Sequence, residues 1–323
     1  MHAAAINLRG GVSLRGARLR GQSIIEYVLI IAVIGLVIVF AGPGVAGAIR
    51  NQFSLVGNTV NSGTVGGAEG GGASGGGSTG ADSETVQAAV AKDAKDWTLD
   101  EQKAVAEDIA AKGEASPAYA KAKAAMDAGT KFTLKLTNGK TLTYRIIGIN
   151  HDDLADGSGK AGLTFEATNG ALDTQRMNAM NSNAGGWEKS ELRNRLNSGD
   201  LWALLPAEIQ SKAKAVTKMT DNKDGGGWDS KDATVTVTSD KLFLLSTTEV
   251  YGNLRSDGTQ YEYYKSKGVT TSNCSGAFSD FSHWTRSVNQ SESTVFLCVN
   301  YIGDYGIAAN ATATLYVFPA WCF

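Results

Sequence analysis

From Ile24 to Ala41 the chain is apolar at every position except Glu26. A helix from Ser23 to Phe40 would span about 27 Å at 1.5 Å per residue, close to the hydrocarbon core of about 30 Å. A carboxylate at the centre of such a helix costs about 2.5–3.5 kcal/mol, so Glu26 either lies near an interface or has a partner. The pattern then disappears: ten of the residues from Asn61 to Gly80 are glycine, a stretch that buries too little apolar surface to order itself. A helical period follows. Ser83 precedes Val86 and Val90, Thr98 and Glu101 form a capping box ahead of Val105 and Ile109, and Ser116-Pro117 opens a helix that Gly129 stops. At Lys131 the period drops to two. Phe132, Leu134 and Leu136 alternate, Asn138-Gly139 marks a hairpin turn, and Leu142, Tyr144 and Ile146 resume. "LTFEA" (Leu163–Ala167) is a further short strand.

These changes of period divide the chain into a basic leader (1–21), a transmembrane helix (22–50), a Gly-rich linker (51–82), a short helical collar (83–129) and a mixed α/β head (130–323). The fold class is α+β. Arg9, Arg15, Arg18 and Arg20 precede the apolar run with no acid among them, which predicts a cytoplasmic N-terminus and an exported, single-pass topology.

Composition narrows the chemistry. A net charge of -2 gives no electrostatic case for a nucleic-acid partner. Three cysteines without a CxxC pair exclude a disulfide scaffold or a zinc knuckle; export leaves a Cys298–Cys322 disulfide open beside buried free thiols. His151, Asp152, Asp153 and Asp156 supply the ligand types of a calcium loop, but an Asp- and Gly-rich turn reads first as a solvated loop, and no metal or cofactor is expected. Arg286, between Trp284 and Ser287 in an interior strand, needs a carboxylate fork, and Glu249 is the candidate. Tyr261, Tyr263 and Tyr264 would suit ligand contacts if they cluster on loops.

"GQSIIEY" (Gly21 to Tyr27) resembles the signature of Flp-type (type IVb, tight-adherence) prepilins. The resemblance implies cleavage after Gly21 by a prepilin peptidase, Gln22 as the new N-terminus, and Glu26 and Tyr27 in assembly with other pilin subunits and the pilus machinery. Two other readings stay open: a plain signal anchor, and a signal peptide cut after Ala48 that releases a soluble binder. From about residue 130 the chain resembles an uncharacterised family of exported bacterial domains. Its marks are "GGW" (Gly185–Trp187) with "SELRNRLN" (Ser190–Asn197), "DKLFLLSTTEV" (Asp240–Val250), "QYE" (Gln260–Glu262), "HWTRS" (His283–Ser287) and the terminal "YVFPAWCF". His283, Thr285 and Phe318 depart from that family's Trp, Leu and Arg. By layout the family is similar to the C-type-lectin-like fold of formylglycine-generating enzymes. Together the resemblances imply a membrane-anchored minor pilin displaying a non-catalytic head for an unknown glycan or protein ligand; a diverged enzyme of the formylglycine-generating type is the alternative.

Overall fold

A computed structural model describes residues 83–223, 233–252 and 254–323. The expected leader, transmembrane helix and linker, with Gly21, Gln22, Glu26 and Tyr27, lie outside the described residues. Among the described residues no helix is long and apolar enough to cross a membrane.

Three helices come first: α1 (Ser83–Ala91), α2 (Leu99–Lys112) and α3 (Tyr119–Ala128). The Thr98 hydroxyl accepts from Glu101 N, and Glu101 reaches back to Thr98 N, so the capping box closes in full. Helix α3 starts two residues later than Ser116-Pro117 suggests. Ser116 Oγ accepts from Ala118 N and donates to Asp108 at 2.5 Å, so it caps the preceding turn. Gly129 ends α3 in the left-handed region.

Strands β1 (Phe132–Lys135), β2 (Thr141–Ile149) and β3 (Leu163–Ala167) follow, then β4 (Thr174–Gln175) and four short helices: α4 (Gly186–Lys189), α5 (Glu191–Ser198), α6 (Asp200–Ala203) and α7 (Ala207–Lys212). The remainder is β5 (Val216–Lys223), β6 (Ala233–Asp240), α8 (Thr247–Tyr251), α9 (Glu262–Ser266), β7 (His283–Val288), β8 (Val295–Val299), β9 (Ile307–Asn310), β10 (Leu315–Tyr316) and β11 (Ala320–Cys322). They form a four-stranded sheet β1-β2-β3-β11, a five-stranded sheet β4-β10-β7-β8-β9 and a two-stranded ribbon β5-β6. The architecture is α+β.

The first sheet is antiparallel throughout, and β11 pairs with β3 so that Trp321 stands opposite Phe165. Alternation along β2 sends Tyr144 to one face and Arg145 to the other. Tyr144 stacks with Phe132 and packs against Phe165 and Trp321, and its hydroxyl donates to Gln102 of α2. Arg145 faces α9. Helices α1–α3 therefore share one hydrophobic core with the strands, and residues 129 and 130 are not a boundary in the packing. Their buried face is rich in alanine, which lets backbones approach closely: a Cβ on Gly162 would sit 1.7 Å from Ala106 O.

The ribbon inverts the usual amphipathic order. Lys218, Thr220, Asn222, Thr238 and Asp240 are buried, while Met219, Val235 and Val237 are exposed.

Candidate functional site

Cross-strand register places Arg145 of β2 directly opposite Glu166 of β3. Their side chains meet at 2.9 Å, and the tyrosines of α9 complete the arrangement. Tyr264 Oη donates to both Glu166 oxygens at 2.8 and 2.9 Å, and Arg145 donates to Tyr263 Oη and Tyr264 Oη at 3.1 Å each. The guanidinium also lies 4.1 Å from the Tyr263 ring centroid, within cation–π range. Arg145 Nε is buried and has no partner.

This pair forms the floor of a cleft of about 270 Å³, bordered by Lys131, Asp280, His283, Phe278 and Phe318. Lys131 and Asp280 make no hydrogen bond or ion pair with other described residues. Desolvation, then the Arg145 charge, lowers the Lys131 pKa. His283 stacks on Phe318 at 4.3 Å and 16°. Its Nδ1 lies 3.1 Å from the Phe281 carbonyl, a geometry that fits an Nδ1–H donor. Burial lowers the His283 pKa from its ordinary 6.5. Two of the three positions where the sequence departs from its resembled family, His283 and Phe318, are thus stacked in one wall of the cleft.

A folded-state pKa below the unfolded one means that the neutral ring stabilises the fold above about pH 6.5, and that this contribution is lost as pH falls through the folded value. Stability measured by urea unfolding should fall between about pH 7.5 and 5, and His283→Phe should flatten that part of the profile. Any residual slope would report Asp152 and Glu249, whose neighbouring cations hold their carboxyls below the ordinary range.

The second polar cluster is closed to solvent. Arg286 of β7 is fully buried and forms a fork with Glu249 of α8: Nη2 donates to Oε1 at 2.9 Å and Nη1 to Oε2. Its remaining hydrogens reach the carbonyls of Met219, Leu244 and Asp257. Glu249 also closes the capping box of α8 with Ser246. Lys218 of β5 bridges Glu249, at 2.5 Å, and Asp152, at 2.7 Å. Burial alone would raise the Asp152 and Glu249 pKa values. The Lys218 charge, foremost for Asp152, and the Arg286 charge, foremost for Glu249, reverse that and hold both carboxyls below their ordinary range.

The structure brings Arg286 and Glu249 together, as the interior Arg requires. The structure bears on three further readings. Tyr261, Tyr263 and Tyr264 are buried rather than displayed on loops. Tyr261 Oη bonds to Asp152, and of the three only Tyr264 borders the cleft. Cys298 and Cys322 are buried free thiols, not a disulfide. They lie in different sheets, on β8 and β11, and Cys322 Sγ instead contacts Thr164 Oγ1 at 3.3 Å. The acids of the 151–156 loop diverge: Asp152 turns inward, Asp153 pairs with Lys160, and Asp156 accepts from Ser158. Among the described residues no group of three or more His, Cys, Asp or Glu side chains is placed to hold a metal ion.

Other sequence marks serve packing. Trp187 Nε1 donates to Asp240 Oδ2 at 2.9 Å, Arg193 Nε to Asp240 Oδ1 at 2.7 Å, and Asn197 Oδ1 accepts from Lys241 N. "GGW…SELRNRLN" therefore clamps the start of "DKLFLLS". Lys131, Arg145, Glu166 and Asp280 were not singled out in the sequence. An opposite-charge pair in the middle of two adjacent apolar strands was the available signal for Arg145 and Glu166.

A family model described as Domain of unknown function (DUF6273) matches residues 149–323. No curated protein and no solved structure matches the chain.

Proposed function

We propose that this chain, which belongs to the Domain of unknown function (DUF6273) family, is a membrane-anchored, pilin-like minor subunit that displays a non-catalytic, C-type-lectin-like head for glycan binding at the bacterial cell surface. The cleft carries this reading. Arg145 and Glu166 are held in place by two tyrosine hydroxyls, so the polar floor of the cleft needs no further ordering to receive a ligand. Lys131 and Asp280 offer an unpaired donor and acceptor at the rim, and Phe318 and Phe278 supply aromatic surface. Fixed polar groups beside aromatic faces suit the alternating hydroxyl and C–H faces of a sugar ring.

The N-terminal sequence supplies the anchor. Cleavage after Gly21 would create an ammonium at Gln22, and in a bundle of such helices Glu26 of one subunit would pair with that amine of the next. The glycine-rich linker then gives the head reach, about 25 Å root-mean-square for twenty residues.

The test uses the full chain in detergent micelles on immobilised glycan and peptide panels. Retention on at least one glycan should drop about tenfold, the equivalent of about 1.4 kcal/mol, in the Lys131→Ala/Asp280→Ala variant, with unfolding midpoints unchanged. Retention only on peptides, or retention indifferent to the double substitution, would overturn the glycan reading. Sequencing the mature protein from cells should give Gln22 as its first residue; a start at Ile49 or an uncut terminus would remove the pilin component.

A further inference from the structure

Lys218 contacts both Asp152 and Glu249, with all three side chains 3% exposed or less. The Lys218 Nζ is 2.7 Å from Asp152 Oδ1 and 2.5 Å from Glu249 Oε1, and lies 4.3 Å from the centroid of the Phe243 ring. Asp152 Oδ2 accepts from Thr164 Oγ1 at 2.6 Å, and Tyr261 Oη is shared between Oδ2, at 2.9 Å, and Oδ1, at 3.0 Å. An ammonium and two carboxylates are thus held together in a site closed to solvent, with two hydroxyls donating to Asp152. We propose that Lys218 and Asp152 condense into an intramolecular isopeptide bond, with Glu249 relaying the proton.

The step balances within these residues. Lys218 passes one proton to Asp152 Oδ1, 2.7 Å away, and the neutral amine attacks the Cγ of the resulting carboxylic acid. The developing negative charge falls on Oδ2, where Thr164 donates and Tyr261 is shared with Oδ1. Glu249, 2.5 Å from the nitrogen, takes a second proton from it and delivers this proton to the Oδ1 hydroxyl, which leaves as water. An N–Cγ bond forms, a C–O bond breaks, and nothing is oxidised or reduced. The starting state is the ion pair: burial opposes it, but the charge of Lys218 holds the Asp152 pKa down and those of Asp152 and Glu249 hold the Lys218 pKa up, so the proton transfer from Lys218 is the uphill step. Contact distance supplies the high effective concentration that an intramolecular reaction exploits. The product converts one cation and one anion into a neutral amide and leaves Arg286 and Glu249 matched one to one. It also ties the loop after β2 to the ribbon, a covalent brace in a head proposed to face the outside of the cell. This inference depends on the buried triad alone and stands or falls independently of glycan binding.

The Cys322 thiol, 3.5 Å from Asp152 Oδ2, is a rival nucleophile, and Asp-Gly steps such as Asp156-Gly157 can lose water by forming a succinimide. Thioester and succinimide are cleaved by hydroxylamine; an amide is not. The experiment is tryptic mass spectrometry of the full-length wild-type protein, purified folded and treated with hydroxylamine. The expected result is a branched peptide joining Ile146–Lys160 to Ala215–Lys223, uncut after Lys218 and lighter by one water than the sum of the two. Glu249→Gln, checked for a folded state by circular dichroism, should yield the separate peptides. Separate peptides from the wild type after prolonged incubation, or a water loss that maps to an Asp-Gly step or vanishes with hydroxylamine, would overturn the proposal.

Discussion

Arg286→Met should destabilise the head by about 3–5 kcal/mol, the usual cost of removing one partner of a buried ion pair. The methionine fills much of the same volume, so the loss comes from polarity rather than from a cavity. It strips hydrogen-bond donors from the carbonyls of Met219, Leu244 and Asp257 and takes the fork from Glu249. Those acceptors belong to the ribbon, to the segment entering α8 and to the loop after it, so one guanidinium holds three stretches of chain against β7. Where Lys218 is a free ammonium it remains on Glu249 and keeps the carboxylate from being wholly uncompensated. Urea unfolding followed by tryptophan fluorescence measures the change. A cost below about 1 kcal/mol, the scale of an exposed pair, would show that Arg286 does not hold the fold.

Gly162→Ala should be comparably severe through sterics. The added methyl would meet Ala106 at its carbonyl oxygen (1.7 Å), carbonyl carbon (2.5 Å) and Cα (2.9 Å). All are backbone atoms of α2, so no side chain can rotate away and the helix must move off the end of β3. Overpacking typically costs about 1–3 kcal/mol; with backbone on both sides, about 3 kcal/mol or more is expected. Urea unfolding should report the loss, and hydrogen exchange should show α2 loosening as faster amide exchange around Ala106 and Ile109. An unchanged midpoint would mean that the helix and sheet do not approach as described.

What could be read from the sequence follows from how far each signal reaches. The β1–β2 hairpin, β3 and the Thr98 capping box were legible because their causes are local: period-two alternation, an Asn-Gly turn, a Thr and a Glu three residues apart. Arg286 and Glu249 could be paired across 37 residues because a charge in an apolar strand demands a partner and few acids were placed to serve. The tyrosines misled for the converse reason. "QYEYY" is polar enough to look like surface, and only the three-dimensional structure reveals Arg145, Glu166 and Asp152 waiting for their hydroxyls. Lys218 was missed because "VTKMTDNK" alternates like a solvated ribbon. The period is right, but its polar face turns inward and Met219 outward, an assignment that rests on partners far along the chain. The helices of 83–129 were found as elements yet read as a collar, since a stripe of alanines gives a weak pattern even when a sheet is packed closely against it.

The pairing of β11 with β3 carries a consequence for the order of events in the cell. Synthesis delivers β1, β2 and β3 early, but the strand that completes their sheet arrives only at Ala320–Cys322. Until then β3 is an open edge with unpaired amides and carbonyls, and Phe165 lacks the indole that covers it. A nascent chain in that condition cannot close the sheet before Ala320–Cys322 are available, and contacts so distant in sequence form slowly. For as long as residues 168–319 are being made, the topology leaves an unsealed strand edge that another chain could pair with.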